Sequence, residues 1–319
     1  MNVSQTRQIA DAARPADGRS TISWAGWSLP VRDTWRPMKI EGSQDKGTMV
    51  IGDAEKPLLL VQWRHPGAIE TFDADAWLRD RFRRIKARPS PDAPKPAGIE
   101  RAEWVRELET REGQHKTIWY GYANNAGLLI ELTATSLTEQ AIREEVFGTL
   151  LPRLEVSGAG DPCRWELYNV SFQSPPRYVL LRRHLYSGDI ALLLRHPSAA
   201  TLMVRQVYPA ALALSRRPLG EWLDRSPFME RRRFAKGAGT EDAPPQSGGA
   251  PRVTRRGWKR LPSPLGWLRP RFSTALAAVD ATLDRLLIAE HQSTAEPEEE
   301  IAAWAVGSMN LDLAVQPPL

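Results

Sequence analysis

The sequence predicts an α+β protein made of two tandem copies of an antiparallel sheet with packed helices. Two observations carry this. Short β-branched and aromatic runs bounded by Gly, Pro and Asp alternate with stretches of helical period. The first half also repeats in the second. "WSLPVRDTWRPMKI", "KGTMVIG", "PLLLVQW" and "DAWLRDRFRRIK" are followed later, in order, by "VSFQSPPRYVLLRR", "SGDIALLLR", "ATLMVRQV" and "GEWLDRSPFMERRRF". Trp35 falls against Tyr178, Gly47 against Gly188, Leu58 against Leu202 and Trp77 against Trp222, at offsets of 143, 141, 144 and 145. Near the ends Leu128 matches Leu286 at an offset of 158, so extra residues are expected in the second copy between Trp222 and Leu286.

In the first copy, residues 22 to 29, 37 to 42, 47 to 52 and 57 to 64 read as strands joined by tight turns. Residues 72 to 87 change period: Trp77, Leu78, Phe82 and Ile85 recur at helical spacing. Asp73 and Asp75 open that helix and Arg83, Arg84 and Lys86 close it, matching the helix dipole. Strands follow near 101 to 110, 116 to 123 and 127 to 134, the last two joined at "ANNAG". A closing helix is expected over about 137 to 151, capped by Thr138, with Ile142, Val146, Phe147, Leu150 and Leu151 facing inward. In the second copy, "STALAAVDATLDRLLIAE" consists of good helix formers. Its counterpart is the hairpin "TIWYGYANNAGLLIELT", so it is assigned two strands.

The resulting layout is a flexible N-terminus over 1–20, a first repeat over 21–156, a linker over 157–164, a second repeat over 165–308 with a basic insertion at about 226–275, and a tail over 309–319. Trp77 and Trp222 are expected to be equivalent core anchors, whose truncation to Ala costs about 3–5 kcal/mol.

Composition excludes several classes. At 319 residues the chain is long enough for two domains, and its balance is that of a folded protein. The longest apolar runs fall well short of a membrane span, and "MNVSQTRQIADAARPADGRS" has no apolar core like that of a secretory signal, so a cytoplasmic location is expected. Cys163 is the single cysteine, which excludes an intrachain disulfide and a multi-thiolate metal site.

No catalytic arrangement is found. The sequence holds no Gly-rich phosphate loop, GxSxG elbow or HExxH. The five histidines, at 65, 115, 184, 196 and 291, occupy no equivalent positions in the two repeats. Glu298, Glu299 and Glu300 open a helix after Pro297, where they complement its N-terminus. No metal, no cofactor and no enzymatic role is therefore expected.

The charge is uneven. Residues 226 to 275 hold eleven basic and three acidic residues, a net of +8, against +5 for the whole chain, so the remainder carries −3. Within that segment "RVTRRGWKRLPSPLGWLRPR" sets two indoles among seven cations. Trp and Arg dominate interface energetics, so Arg255, Arg256, Trp258, Lys259, Arg260, Trp267, Arg269 and Arg271 are the candidate partner-binding residues. Three readings stay open: a disordered loop, a protein-docking arm, and a site for a nucleic acid or an anionic membrane surface.

The order of strands, helix, strands and closing helix, together with the strand opening "GWSLPVRDTW", resembles the PsbP-like fold over about 22 to 155 and 165 to 305. That fold is shared by photosystem extrinsic proteins, a Ran-binding protein, DcrB-type lipoproteins and the chaperone adaptors of type VI secretion. The resemblance implies a protein-binding scaffold, adaptor or chaperone subunit of a larger assembly and carries no catalytic residue. The chain departs from these families in its duplication and its basic insertion, and from the lipoproteins in lacking a lipidated N-terminal Cys.

Overall fold

The computed structural model describes residues 19–66, 72–90, 92–109, 115–134, 138–168, 170–225, 235–236, 252–259, 271–294 and 299–309. The chain divides into two compact units at Asn169/Val170.

The first unit opens with a hairpin of β1 (Arg19–Trp24) and β2 (Trp27–Arg32). A single strand was expected over 22 to 29. The chain instead reverses at Ala25 and Gly26, both at positive φ, which is the geometry a two-residue hairpin turn needs. Next come β3 (Arg36–Gly42), β4 (Lys46–Gly52), β5 (Pro57–Arg64), helix α1 (Ala74–Ile85), β6 (Arg101–Glu109), β7 (His115–Ala123) and β8 (Leu128–Ala134). These six strands form an antiparallel sheet in the order β3-β4-β5-β8-β7-β6. Helix α1 begins where Asp73 accepts a hydrogen bond from the Ala76 amide at 2.8 Å, and it ends where Lys86 turns left-handed. Leu78 and Phe82 pack on Val105, Ile118 and Tyr120 of the sheet.

The closing helical segment runs through α2 (Gln140–Glu145), a π turn at Val146–Leu150 and a 3-10 turn at Leu151–Arg153. Val146, Phe147, Leu150 and Leu151 are buried as expected, while Ile142 is half-buried. Thr138 does not cap this helix; its hydroxyl donates to the Leu58 carbonyl at 2.6 Å and ties the segment to β5. Strands β9 (Glu155–Val156) and β10 (Cys163–Leu167) then pair with β2 and β1. The expected linker at 157–164 therefore lies inside this unit, before the boundary. Trp24 and Trp165 meet edge to face here, with ring centres 5.1 Å apart.

The second unit holds β11 (Val170–Ser174), β12 (Val179–Tyr186), β13 (Asp189–Arg195), β14 (Thr201–Val207), α3 (Ala210–Ala213), α4 (Leu219–Arg225), β15 (Ala235–Lys236), β16 (Arg252–Lys259), β17 (Arg271–Asp280), β18 (Arg285–Ser293) and α5 (Glu299–Met309). Its antiparallel sheet runs β12-β13-β14-β18-β17-β16-β15. The hairpin expected at "STALAAVDATLDRLLIAE" is present as β17 and β18, against its helical propensity. The expected insertion at 226–275 is narrower: β16 and the start of β17 are strands of the sheet itself. Helix α5 packs on β17, β18 and β11, and the Gln173 amide donates to Ser308 Oγ at 2.9 Å.

Trp77 and Trp222 both sit on helices over a sheet, yet both are only half-buried. The anchors beneath them are Leu78 and Phe82 on α1 and Leu223 on α4, which correct the expected assignment.

Candidate functional sites

The described parts of the basic segment, Ala235–Lys236, Arg252–Lys259 and the start of β17, are strands at one side of the second sheet. β16 pairs with β17 along its length, from Arg252↔Ala278 to Lys259↔Arg271, and Trp258 pairs with Phe272. Arg255 is buried, and its guanidinium donates to Asp224 Oδ1 on α4 at 3.2 Å and to the Thr254 carbonyl at 3.4 Å. It holds the helix to the sheet, which corrects its reading as a freely presented docking residue. Arg256, the next residue along the strand, is half-buried. Trp258, Lys259 and Arg271 have their backbones in the ladder, and Arg260, Trp267 and Arg269 lie outside the described residues. An Arg-rich strand was not legible because burying guanidinium is costly unless a partner offsets it, and Asp224 is 31 residues away in sequence.

A second feature was missed by sequence reasoning. In the first unit an open groove of about 860 Å³ lies between α1 and the outer strands β3, β4 and β5. Its floor includes Thr48, Gln62, Arg64 and Leu129, and its helical wall carries Trp77, Asp80, Arg81 and Arg84. Arg81 pairs with Glu131 at 2.7 Å and Arg84 with Asp80 at 2.6 Å. At one end Trp63 Nε1 donates to the Ser43 and Gln44 carbonyls at 3.1 and 3.0 Å. Its ring lies over Gly47, where a Cβ would stand 2.4 Å from it. The glycine lets the indole lie flat against the hairpin.

The second unit buries a polar network. Arg205 donates through two nitrogens to the Asp189 carboxylate, both at 2.7 Å, beneath the Trp222 ring. The Glu290 carboxylate accepts from Ser273 Oγ at 2.7 Å and from Gln292 Nε2 at 3.1 Å. On the neighbouring strand position, His291 Nε2 meets the Tyr178 hydroxyl at 2.8 Å, and the Tyr178 ring stacks near His196. Burial, with His196 adding repulsion, lowers the His291 pKa to about 4. At neutral pH the ring is therefore neutral, and its Nε2 shares a hydrogen bond with the tyrosine hydroxyl. His65 and His196, both in "RHP", bond differently: His65 Nε2 lies 3.3 Å from the carbonyl of Ala25 in the β1–β2 turn, whereas His196 Nδ1 bonds locally, 2.8 Å from Ser198 Oγ. Desolvation pushes the Cys163 thiol up to about 12, the setting of an unreactive cysteine.

Among the described residues no group of three or more His, Cys, Asp and Glu side chains could hold a metal ion, and no helix is long and apolar enough to cross a membrane. Comparison with protein-family models and with curated proteins gives no match to this chain.

Proposed function

We propose that this protein is a non-enzymatic, protein-binding adaptor or chaperone subunit, built from two copies of one α+β unit and engaging its partner along open sheet edges. The observation that carries the reading is the outer strand of each sheet. β3 and β12 are edge strands, and each is broken by a bulge that leaves one residue unpaired: Met38 between Pro37 and Lys39, and Leu181 between Leu180 and Arg182. Both bulged side chains are exposed, 47% for Met38 and 56% for Leu181, and β12 adds exposed Val179 and Tyr186. Edge strands are ordinarily blunted by bulges, charge or proline, and both strands carry a bulge and cations, Lys39 on β3 and Arg182 and Arg183 on β12; the apolar side chains exposed between them are what stays open to a partner. An open edge with apolar side chains suits strand addition, in which backbone pairing supplies affinity and side chains supply selectivity.

Several correspondences support duplication. Met38 and Leu181 stand at the same offset of 143 as Trp35 and Tyr178, which directly precede β3 and β12. Trp77 and Trp222 are the fourth residues of their helices. The first six strands of the second sheet's order parallel the six of the first. Two matches need adjustment. The closing pairs Ala123↔Leu128 and Asp280↔Arg285 set the hairpin offset at 157, so Leu286 corresponds to Leu129, since strand faces alternate. Gly47 is a strand residue, whereas Gly188 turns the β12–β13 hairpin at positive φ. This reading also fits the resemblance to the PsbP-like fold, whose members mostly bind other proteins.

The test is affinity purification of the full chain from its source cell, comparing wild type with Leu181→Asp and Met38→Asp. A partner captured by wild type and lost from either variant is the expected result. Capture unchanged by both variants removes the edges from the reading. A second reading, nucleic-acid or anionic-membrane binding through the cations of β16 and β17, predicts instead that binding to duplex DNA or anionic vesicles falls steeply with salt, with a log–log slope of about −0.9 per phosphate neutralised on DNA.

A further inference from the structure

The groove beside α1 carries two cations that the fold does not use. Lys46 and Arg64 are direct cross-strand partners on β4 and β5, and both are exposed. Like charges placed directly opposite destabilise a strand pair. Neighbouring acids commonly relieve such a clash, but the acids of this groove are engaged elsewhere. Glu131 holds Arg81 at 2.7 Å, Asp80 holds Arg84 at 2.6 Å, and Glu41 holds Lys39 at 2.9 Å. Among the described residues, neither Lys46 nor Arg64 has an acid within ion-pair distance. A paired repulsion left standing in an open cleft costs stability, and such local violations of folding rules concentrate at functional sites.

The shape of the cleft limits what that ligand is. About 860 Å³ is far more than an inorganic anion fills; one water occupies roughly 30 Å³ of liquid. Beyond the two cations, the half-buried Trp77 supplies apolar surface, and Gln62 and Thr48 supply hydrogen-bonding groups. We propose that this groove binds an acidic peptide segment of a protein partner, with Lys46 and Arg64 clasping a carboxylate and Trp77 receiving an adjacent apolar side chain. The proposal rests on the adaptor reading and deepens it by naming the partner's chemistry.

The experiment titrates the full-length protein into fluorescein-labelled poly-glutamate peptide, followed by anisotropy, with poly-glutamine and a single-stranded RNA of similar length as comparisons. Poly-glutamate should bind, poly-glutamine should not, and Lys46→Gln with Arg64→Gln should weaken poly-glutamate binding about tenfold. Lys46→Gln alone should raise Tm by about 1–3 °C, because it relieves the repulsion. A lysine needed for structure would lower it instead. Equal binding of poly-glutamate by wild type and the double variant overturns the proposal, as does an unchanged or lowered Tm in Lys46→Gln. Tighter binding of RNA than of poly-glutamate also overturns it, by assigning the cations to phosphate. The adaptor reading fails separately, in the capture experiment with the Leu181 and Met38 variants, which does not involve this groove.

Discussion

The layers beneath α1 and α4 occupy comparable places in the two units and are built from opposite materials. Under the 12-residue α1, the first sheet presents Val105, Ile118 and Tyr120 to Leu78 and Phe82. Tyr120 also takes edge-to-face contacts from Trp77 and Phe82 at 5.9 and 5.5 Å. Under the 7-residue α4, the second sheet presents Ala275 and Ala277 beside Met203, Leu286 and Ile288, and the room left by these alanines is shared with Arg205, Arg255, Ser273 and Glu290. Large aromatic rings fill the first layer by burial alone. Small residues in the second leave space for long charged side chains, which then require Asp189 and Asp224 as partners. The two layers should therefore fail differently, one through cavities and the other through orphaned charge.

The largest expected effect is in the apolar layer. Phe82→Ala should cost the first unit about 3–5 kcal/mol, read by urea titration with pulse proteolysis, where released fragments assign each transition to its unit. In the charged layer, Asp189→Ala should cost the second unit about 3 kcal/mol because Arg205 stays buried without its partner, while Arg205→Met should cost much less. If both variants cost the same, the layer depends on packing and not on charge pairing.

Acid should separate the units further. His291 is held neutral, its pKa lowered to about 4 from an ordinary 6.5 by burial and by nearby His196, with its Nε2 hydrogen-bonded to the Tyr178 hydroxyl. A depressed pKa contributes stability that is complete above about pH 6.5 and is lost as pH falls toward 4, an effect of about 3 kcal/mol. The second unit should lose stability over that window, and His291→Gln should flatten the dependence. Urea midpoints at several pH values check this, and a slope unchanged in the variant would remove His291 as its source. Smallest are the half-buried indoles. Trp77→Ala and Trp222→Ala should each cost about 2 kcal/mol, below a full core truncation; a loss above about 4 kcal/mol at either would restore its role as an anchor.

Much of the fold was legible where local pattern and tertiary environment agree. β5 matches its expected span of 57 to 64, and α1 lies within 72 to 87, because apolar period, cap and charge gradient coincide there. The β17–β18 hairpin was legible only by analogy with β7–β8, since its alanines and leucines suit a helix equally well. The β1–β2 turn was missed because Ala25-Gly26 lacks the Asn or Asp that usually marks positive φ. β16 was missed for a different reason: its Arg255 reads as solvent-exposed until Asp224 is seen beside it. Of the candidate sites, the Trp/Arg segment was conspicuous in composition. The Lys46/Arg64 pair was not, because its meaning lies in a register that joins residues 18 positions apart.

The bond from the Gln173 amide to Ser308 Oγ, with α5 lying against β11, has a consequence for biosynthesis. Until that last helix has been made, the faces of β11, β17 and β18 that it covers stay open on the ribosome. The six-stranded sheet of the first unit is complete once β8 has been made and can close earlier, in keeping with the domain-by-domain order of folding during synthesis. A nascent chain halted between β18 and α5 would thus pair a finished unit with one whose β11 and sheet face are uncovered, the species on which quality-control chaperones would act.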